Sequence, residues 1–251
     1  MLKSRLCIAF FAFAVGGAPA QKPLTDYVNP MLGTATLWDS VDLGFKPTKR
    51  TWGAEVFPGS SLPNAMVQVS PVTKFHSGAG YQYEDSVIYG FTHTNKGHWN
   101  LCHIPLLPVT GTPTPGDYCS PFSHERESAA PGYYQVFLDR YGVDAQLSST
   151  LRCAFHKYTY PAGAAPAVLA DLQRSNEHVR AWDIRKEGDN VFAGWQQTGE
   201  KMYFYAVANR PVTGIEPVVE GDREVRIVRF GEGDGALELR IGFSFVSEKN
   251  A

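Results

Sequence analysis

The sequence predicts an all-β fold, an antiparallel β-sandwich with few or no helices. Its clearest signal lies at residues 237–245, where leucine, isoleucine and phenylalanine alternate strictly with polar residues or glycine. This period of two is typical of a strand with one buried and one solvated face. Glycine, proline, asparagine and aspartate separate most of the other apolar runs, and many short strands spaced in this way are typical of a sandwich.

Further candidate strands follow one another through the second half of the chain. They cover residues 133–138, 145–153, 155–160, 167–172, 179–185, 191–196 and 202–208. A second alternating run lies just before the glycine-rich segment 231–235. Since such segments join adjacent antiparallel strands, residues 223–246 are predicted to form a β-hairpin.

The first twenty residues have the pattern of a secretory signal peptide. Basic residues precede a short apolar run at 6–15, and Ala18-Pro19-Ala20 is an A-x-A cleavage site. The apolar run is too short to span a membrane. We therefore expect residues 1–20 to be removed and the protein to be exported to the periplasm or the extracellular space, without a membrane span.

Residues 21–251 are predicted to form one domain, because no repeat or Pro/Ser-rich linker divides them. The formal net charge is −2, and no run of five basic residues occurs. This argues against an electrostatic nucleic-acid partner. The chain stops directly after the strand predicted at 237–245, which suggests a chain cut at a domain boundary.

Three cysteines follow the predicted cleavage site: Cys102, Cys119 and Cys153. They allow at most one internal disulfide, and neither a C-x-x-C pair nor a zinc spacing occurs. We expect at least one of them to be a small buried apolar residue.

The stretch 52–111 combines glycines, prolines and aromatic residues with His93, His98 and His103, and it has no helical periodicity. The composition of the whole chain favours a core role for its aromatic residues. The mixture of aromatic and polar residues on predicted loops instead predicts a surface that handles sugars, since aromatic rings are flat platforms for sugar rings.

Seven segments of the chain resemble motifs of one known family and occur in the same order as in that family. They are YVNPMLGT (27–34), FPG (57–59), PNAMVQVSP (63–71), GFTHT (90–94), PLLPVTG (105–111), SHERESA with PGYY (123–134) and IGFSFVS (241–247). The chain resembles the N-terminal domain of glycoside hydrolase family 92, a family of exo-acting α-mannosidases.

The resemblance implies a two-domain enzyme. Its N-terminal part is a β-sandwich of the galactose-mutarotase-like, supersandwich type, and a larger (α/α)6 barrel follows it. Members of this family are inverting and calcium-dependent, and an inverting glycosidase needs two carboxyl groups roughly 6.5–9.5 Å apart. In the family these carboxyls and most calcium ligands belong to the barrel. The resemblance therefore predicts neither a catalytic residue nor a metal site within this chain, and implies a mannose-containing glycan and a C-terminal barrel domain as its partners.

Four residues are candidate sugar contacts, because sandwich loops of the family reach the cleft between the domains. Trp99 is either a ring that stacks on a sugar or a core tryptophan, and its polar neighbours Lys96 and His98 favour the sugar contact. His93 follows a predicted strand and is either a sugar contact or a structural histidine. Lys74 stands where the family has an arginine, and as a point donor it lacks the bidentate grip of that residue. The loops 74–83 and 93–103 are thus predicted to face a terminal mannose.

Other interpretations of the same residues are weaker. The spacing of His93, His98 and His103 fits neither a helix face nor an H-x-H strand, which argues against a metal site. The carboxylates at 125 and 127 stand too close together for inverting chemistry, so the segment 124–127 is predicted to fix a loop to the sheet. Two rival functions stay open at this point: a stand-alone carbohydrate-binding module, and an inactive fragment.

Overall fold

The computed structural model describes residues 22–36, 56–96 and 99–251. The predicted signal peptide and His98 lie outside these residues. The described chain is almost entirely β-structure, joined by three short 3₁₀ helices at Leu24–Tyr27, His124–Arg126 and Glu248–Asn250. In this described part, none of the helices has the length and apolarity needed to cross a membrane.

The described residues form nineteen strands. In chain order they are β1 (Ser60–Ser61), β2 (Gln68–Val72), β3 (Val87–Ile88), β4 (Gly90–Thr92), β5 (Asn95–Lys96), β6 (Trp99–Asn100), β7 (Leu106–Val109), β8 (Ser120–Pro121), β9 (Glu127–Ala130), β10 (Tyr133–Leu138), β11 (Val143–Ser149), β12 (Cys153–Thr159), β13 (Ala167–Ala170), β14 (Ala181–Gly188), β15 (Val191–Gln197), β16 (Lys201–Ala208), β17 (Val212–Glu220), β18 (Arg223–Phe230) and β19 (Leu237–Ser244).

Two large antiparallel sheets account for most of these strands. One has seven strands in the order β1-β2-β4-β7-β13-β18-β17, and the other has eight in the order β14-β15-β16-β19-β12-β11-β10-β9. Two small ladders, β3–β8 and β5–β6, lie outside them. One large cluster of buried apolar side chains contains residues of both sheets. The predicted all-β sandwich is confirmed.

The alternating patterns place the core as predicted. In β19, Leu237, Leu239, Ile241 and Phe243 are buried. The residues between them are half-buried or exposed. Burying one such side chain stabilises the fold by about 1.5–3 kcal/mol relative to leaving it exposed. The inward faces of the two sheets therefore supply the main stabilising term.

The predicted hairpin at 223–246 is wrong. Strand β18 pairs with β13 and β17 in the seven-stranded sheet, whereas β19 pairs with β12 and β16 in the eight-stranded sheet. The glycine-rich segment crosses from one sheet to the other. Alternation fixes which face of a strand is buried but does not fix its neighbour, so two well-patterned runs need not pair.

The true hairpin joins β17 to β18, and β17 was missed. Its turn brings Glu220 opposite Arg223, with Gly221 in the left-handed region at φ 58°. Strand β17 contains Pro217 and leaves Val219 64% exposed at the edge of its sheet. An edge strand tolerates proline and need not alternate, so the period-two signal is lost there.

Leu239→Ala is expected to lower the free energy of unfolding by about 2–5 kcal/mol, because Leu239 is fully buried and the change leaves a cavity. Urea unfolding followed by fluorescence measures this loss. The matched control is Val219→Ala on the exposed edge strand, which should change the free energy by less than about 0.5 kcal/mol. Equal losses in the two variants would contradict the assignment of the core.

Candidate functional site

Half of the described residues in the stretch 52–111 are buried. Tyr81, Phe91 and His93 have no exposed area, and His103 is 3% exposed. Of its described aromatic residues only Tyr83 and Trp99 are exposed, so the prediction that this stretch presents its aromatic residues as a surface is wrong for the others. Its rings pack in the core beneath the loops, which leaves a smaller set of exposed side chains above them.

The segment that carries His103 has a strained backbone. Cys102 and Ile104, on either side of it, have φ angles of 52° and 53°. This left-handed conformation is unusual for any residue other than glycine, above all for a β-branched one, and costs on the order of 1–3 kcal/mol. Two side-chain amides hold it: Asn100 Oδ1 accepts from the Cys102 N–H (2.8 Å) and Gln196 Oε1 from the Ile104 N–H (2.9 Å).

Asn176 joins the loop after β2 to the β5–β6 ladder. Its Oδ1 accepts a hydrogen bond from the His76 N–H (2.6 Å). Its Nδ2 donates to the carbonyls of Ser77 (3.1 Å) and Asn100 (2.6 Å). We call this arrangement the Asn176 clamp. One amide thus fixes two chain segments against the segment after β13. In the sequence, the only signal for this role is a polar run that follows an apolar strand.

The close approach at the clamp also requires a glycine. Gly80 has a φ of 75°, and a Cβ at this position would lie 2.7 Å from Asn100 Nδ2. Any other residue would be both strained and too close to the amide. The conformation of this loop therefore requires glycine at position 80.

Below the clamp, His103 and Glu177 form a bonded pair. His103 Nε2 lies 3.1 Å from Glu177 Oε2, and Thr198 Oγ1 donates to the same oxygen at 2.6 Å. The hydrogen bonds from Thr198 and His103 hold the pKa of Glu177 below its ordinary value, and the charge of Lys96 adds to this effect. Burial lowers the pKa of His103. The pair is thus a neutral imidazole that donates to an ionised carboxylate.

His93 is placed in the core. Its Nε2 lies 3.1 Å from His156 Nε2, and its ring centroid lies 4.6 Å from that of Phe243. Burial lowers the pKa of His93 to about 3, and burial also lowers that of His156. The full burial and the ring contacts fit the structural interpretation of His93 that the sequence had left open.

The other predicted sugar contacts lie around the clamp or outside the described residues. Lys74 is exposed on the loop that Asn176 holds. Trp99 is 54% exposed and pairs with Lys96 across the β5–β6 ladder. The structure therefore attaches Lys74 and Trp99 to one clamped group of loops. Their roles as sugar contacts, and that of His98, stay predictions.

The segment 124–127 fixes a loop to the sheet, as predicted. Glu127 accepts hydrogen bonds from the hydroxyls of Tyr81 (2.9 Å) and Tyr134 (2.6 Å) and lies 2.5 Å from His124 Nδ1. The ring of His124 stacks on Tyr83 at 3.9 Å. The loop 74–83 is thus held at its far end by a buried carboxylate.

The described residues contain no group of three or more His, Cys, Asp or Glu side chains that could hold a metal ion. All three described cysteines are free thiols, and Cys102 is the buried one. The prediction that at least one cysteine is a buried small residue is confirmed.

Comparison with known proteins gives one family. The profile of the glycosyl hydrolase family 92 N-terminal domain matches residues 27–245. No curated protein matches the chain significantly.

Solved structures agree with this family. An α-mannosidase of family GH92 from Bacteroides thetaiotaomicron, also solved in complex with mannoimidazole, has a TM-score of 0.76 and 24% identity over 91% of this chain. An inverting GH92 mannosidase from B. thetaiotaomicron VPI-5482 has a TM-score of 0.72 and 23% identity over 91% of this chain. The GH92 glycosyl hydrolase ccman5 has a TM-score of 0.65 and 25% identity over 77% of this chain. The chain covers 34%, 33% and 31% of these three structures, about a third of each.

Asn176→Ala is expected to loosen the loop after β2, because the His76 N–H and two carbonyls lose their partner. The free energy of unfolding should fall by about 1–3 kcal/mol, and amide exchange at His76 should accelerate. The matched control is Asn209→Ala, which also removes bonds to backbone groups, at Ala236 and Glu238. If both variants left exchange at His76 unchanged, the clamp would be refuted.

Stability is expected to fall as the pH drops below about 6.5, the ordinary pKa of histidine. The folded protein holds the pKa values of His93 and His156 below that value, so in this range the unfolded chain binds more protons. The loss should reach about 1.4 kcal/mol per pH unit for each histidine, measured by urea unfolding at several pH values. His93→Phe should flatten this slope, whereas a change at the exposed His178, His178→Gln, should leave it as it is. An unchanged slope in folded His93→Phe contradicts the explanation.

Proposed function

The chain belongs to glycosyl hydrolase family 92, as its N-terminal domain, and from this premise we propose that it is the β-sandwich portion of a secreted, calcium-dependent, inverting exo-α-mannosidase-like hydrolase. The observation that carries the proposal is the clamped group of loops: it presents Lys74 and Trp99 on a domain whose family and solved relatives are mannosidases. Its role is to lend substrate-binding loops and support to a catalytic barrel.

The exposed side chains around the clamp suit a sugar. The indole of Trp99 is 54% exposed, and an exposed aromatic ring is a surface on which a sugar ring can stack. Lys74 offers a donor and Glu177 an ionised acceptor, and both side chains are exposed. A few placed polar groups beside an aromatic platform are the usual composition of a ligand site.

The clamp supplies rigidity to this site. A site that holds a sugar in one orientation needs its loops ordered before the ligand arrives, since ordering them on binding weakens affinity. The bonds of Asn176 and Glu127 fix the loop 74–83 near both of its ends. The loops are therefore prepared to act as a fixed wall of a pocket.

The catalytic groups belong to the remainder of the proposed enzyme. The general acid and the general base, roughly 6.5–9.5 Å apart in inverting glycosidases, would come from an (α/α)6 barrel that follows the sandwich. Calcium would be held mainly by that barrel. The pattern of residues 1–20 supports the proposed export.

Methyl α-mannoside is expected to bind the chain weakly and in preference to methyl α-galactoside, and Trp99→Ala should weaken the binding by about 1–3 kcal/mol. Titration followed by NMR chemical shifts measures both effects. The matched control is Trp195→Ala on β15: this half-buried tryptophan neighbours Gln196, so the two side chains lie on opposite faces of the strand.

The two variants separate the possible results. Weaker binding in Trp99→Ala alone supports the proposed wall of a mannose site. Absence of saturable mannoside binding by the unaltered chain, or equal weakening in the two variants, speaks against it.

A further inference from the structure

A cavity of about 550 Å³ adjoins the Asn176 clamp. Its lining includes His76, Asn176 and Glu177, together with Arg174 and Arg223. A neighbouring cavity of about 470 Å³ shares Arg223 and is also lined by an exposed arginine, Arg180. Volumes of this order suit a sugar-sized ligand. Three arginines thus border one continuous depression beside the proposed sugar site.

Arg174 is held in place by packing. Its guanidinium carbon lies 4.1 Å from the ring centroid of Phe75 and 4.9 Å from that of Tyr89. Its Nη1 donates to the Tyr118 hydroxyl at 3.3 Å. A guanidinium has five N–H donors, and among the described residues this contact uses one of them. Packing therefore fixes the Arg174 side chain, while its remaining N–H donors can bond to a ligand.

Arg223 is held from below by a buried carboxylate. Its Nη2 donates to Asp171 Oδ2 at 2.7 Å, and the Tyr118 hydroxyl donates to the same oxygen at 2.6 Å. Asp171 has no exposed area. Arg223 Nε is buried and has no hydrogen-bond partner among the described residues. Asp171 thus orients Arg223 while other donors of the guanidinium remain unused.

The balance of charge in the depression is positive. Arg174, Arg180 and Arg223 carry three positive charges, against Asp171 beneath them and Glu177 at the rim. Thr198 and His103 both bond to Oε2 of Glu177, so this oxygen already has two partners. The rings of His76 and His178 add nitrogen groups to the lining.

We propose that this depression is an oxyanion subsite, which takes a phosphate or sulfate ester carried by the glycan. Planar guanidinium groups fixed at their inner ends present paired N–H donors to tetrahedral oxyanions, which a neutral sugar cannot match. That the ligand is a glycan rests on the proposed function, whereas the subsite itself rests on the arginines. The domain therefore selects anionic glycans over neutral ones.

The test is titration of the chain with mannose, mannose 6-phosphate, mannose 6-sulfate, inorganic phosphate and inorganic sulfate. A charged ester should bind at least about tenfold more tightly than mannose, since bonds to charged groups are among the stronger ones. The advantage should shrink in high salt. The free anions should compete with the matching ester. The ester whose affinity exceeds that of mannose by the larger factor identifies the natural substituent.

Two variants and a control locate the effect. Arg180→Gln removes one charge from an exposed residue, and Arg174→Lys keeps the charge but removes the planar fork. Each should reduce the advantage of the ester by about threefold or more. Arg152→Gln, at an exposed arginine outside both cavities, should leave it unchanged. Thermal unfolding checks that each variant is folded.

The results separate this inference from the proposed function. Equal binding of mannose and both esters, or an advantage that survives in Arg174→Lys and Arg180→Gln, overturns the subsite. If the free anions bind through these arginines while no mannoside binds, the subsite is supported and the proposed function is contradicted. Anion binding that vanishes when a C-terminal domain is attached would assign the depression to a contact between domains and overturn the subsite.

Discussion

The candidate site depends on one constraint: buried backbone groups need hydrogen-bond partners even where no sheet ladder supplies them. Residues 73–105 leave regular pairing several times, and side-chain amides replace the missing ladder. Asn100, Asn176 and Gln196 each bond to backbone groups of these or neighbouring segments. Gln196 belongs to the eight-stranded sheet, while Asn176 follows a strand of the seven-stranded sheet. The loops are therefore shaped by both sheets at once.

The same packing decides the charge states around the site. His93 and His103 are buried, so both are held neutral, the latter even though it bonds to a carboxylate. Glu177 stands at the surface with two donors on one oxygen and is held ionised. The histidines that appear most reactive in the sequence are thus structural, and the charges that face solvent come from residues around 174–180.

The sequence predicted the strands well where one face is buried and one is wet. The segment 133–138 coincides with β10 from end to end, because its burial alternates without interruption. It predicted strand partners poorly, as the runs at 223–246 show, since alternation carries no information about neighbours. It also predicted that the aromatic residues of 52–111 lie at the surface, because polar rings such as Tyr81 are poorly suited to an apolar core. In the structure, Glu127 accepts a hydrogen bond from the Tyr81 hydroxyl, which allows this ring to be buried.

The site itself was predicted only in part. Lys74 and Trp99 became candidates in the sequence analysis and their roles stay predictions, whereas Asn176 and Gln196 were not among the candidates. Their partners lie about a hundred residues away along the chain, at His76 and Ile104. A side chain whose role is to satisfy a distant backbone group leaves no local pattern, so only the assembled fold shows it.

The crossing between β18 and β19 has a consequence for how the chain folds. Successive strands enter different sheets, and β12 must find β19, with Cys153 opposite Gly242, before the eight-stranded sheet is continuous. Such pairings between distant residues make loop closure the slow step, and β-sandwiches of this kind reach the native state in milliseconds to seconds. The eight-stranded sheet cannot be completed before β19 arrives, because β19 lies between β12 and β16. During synthesis, the unpaired strand edges would stay open to other chains until then.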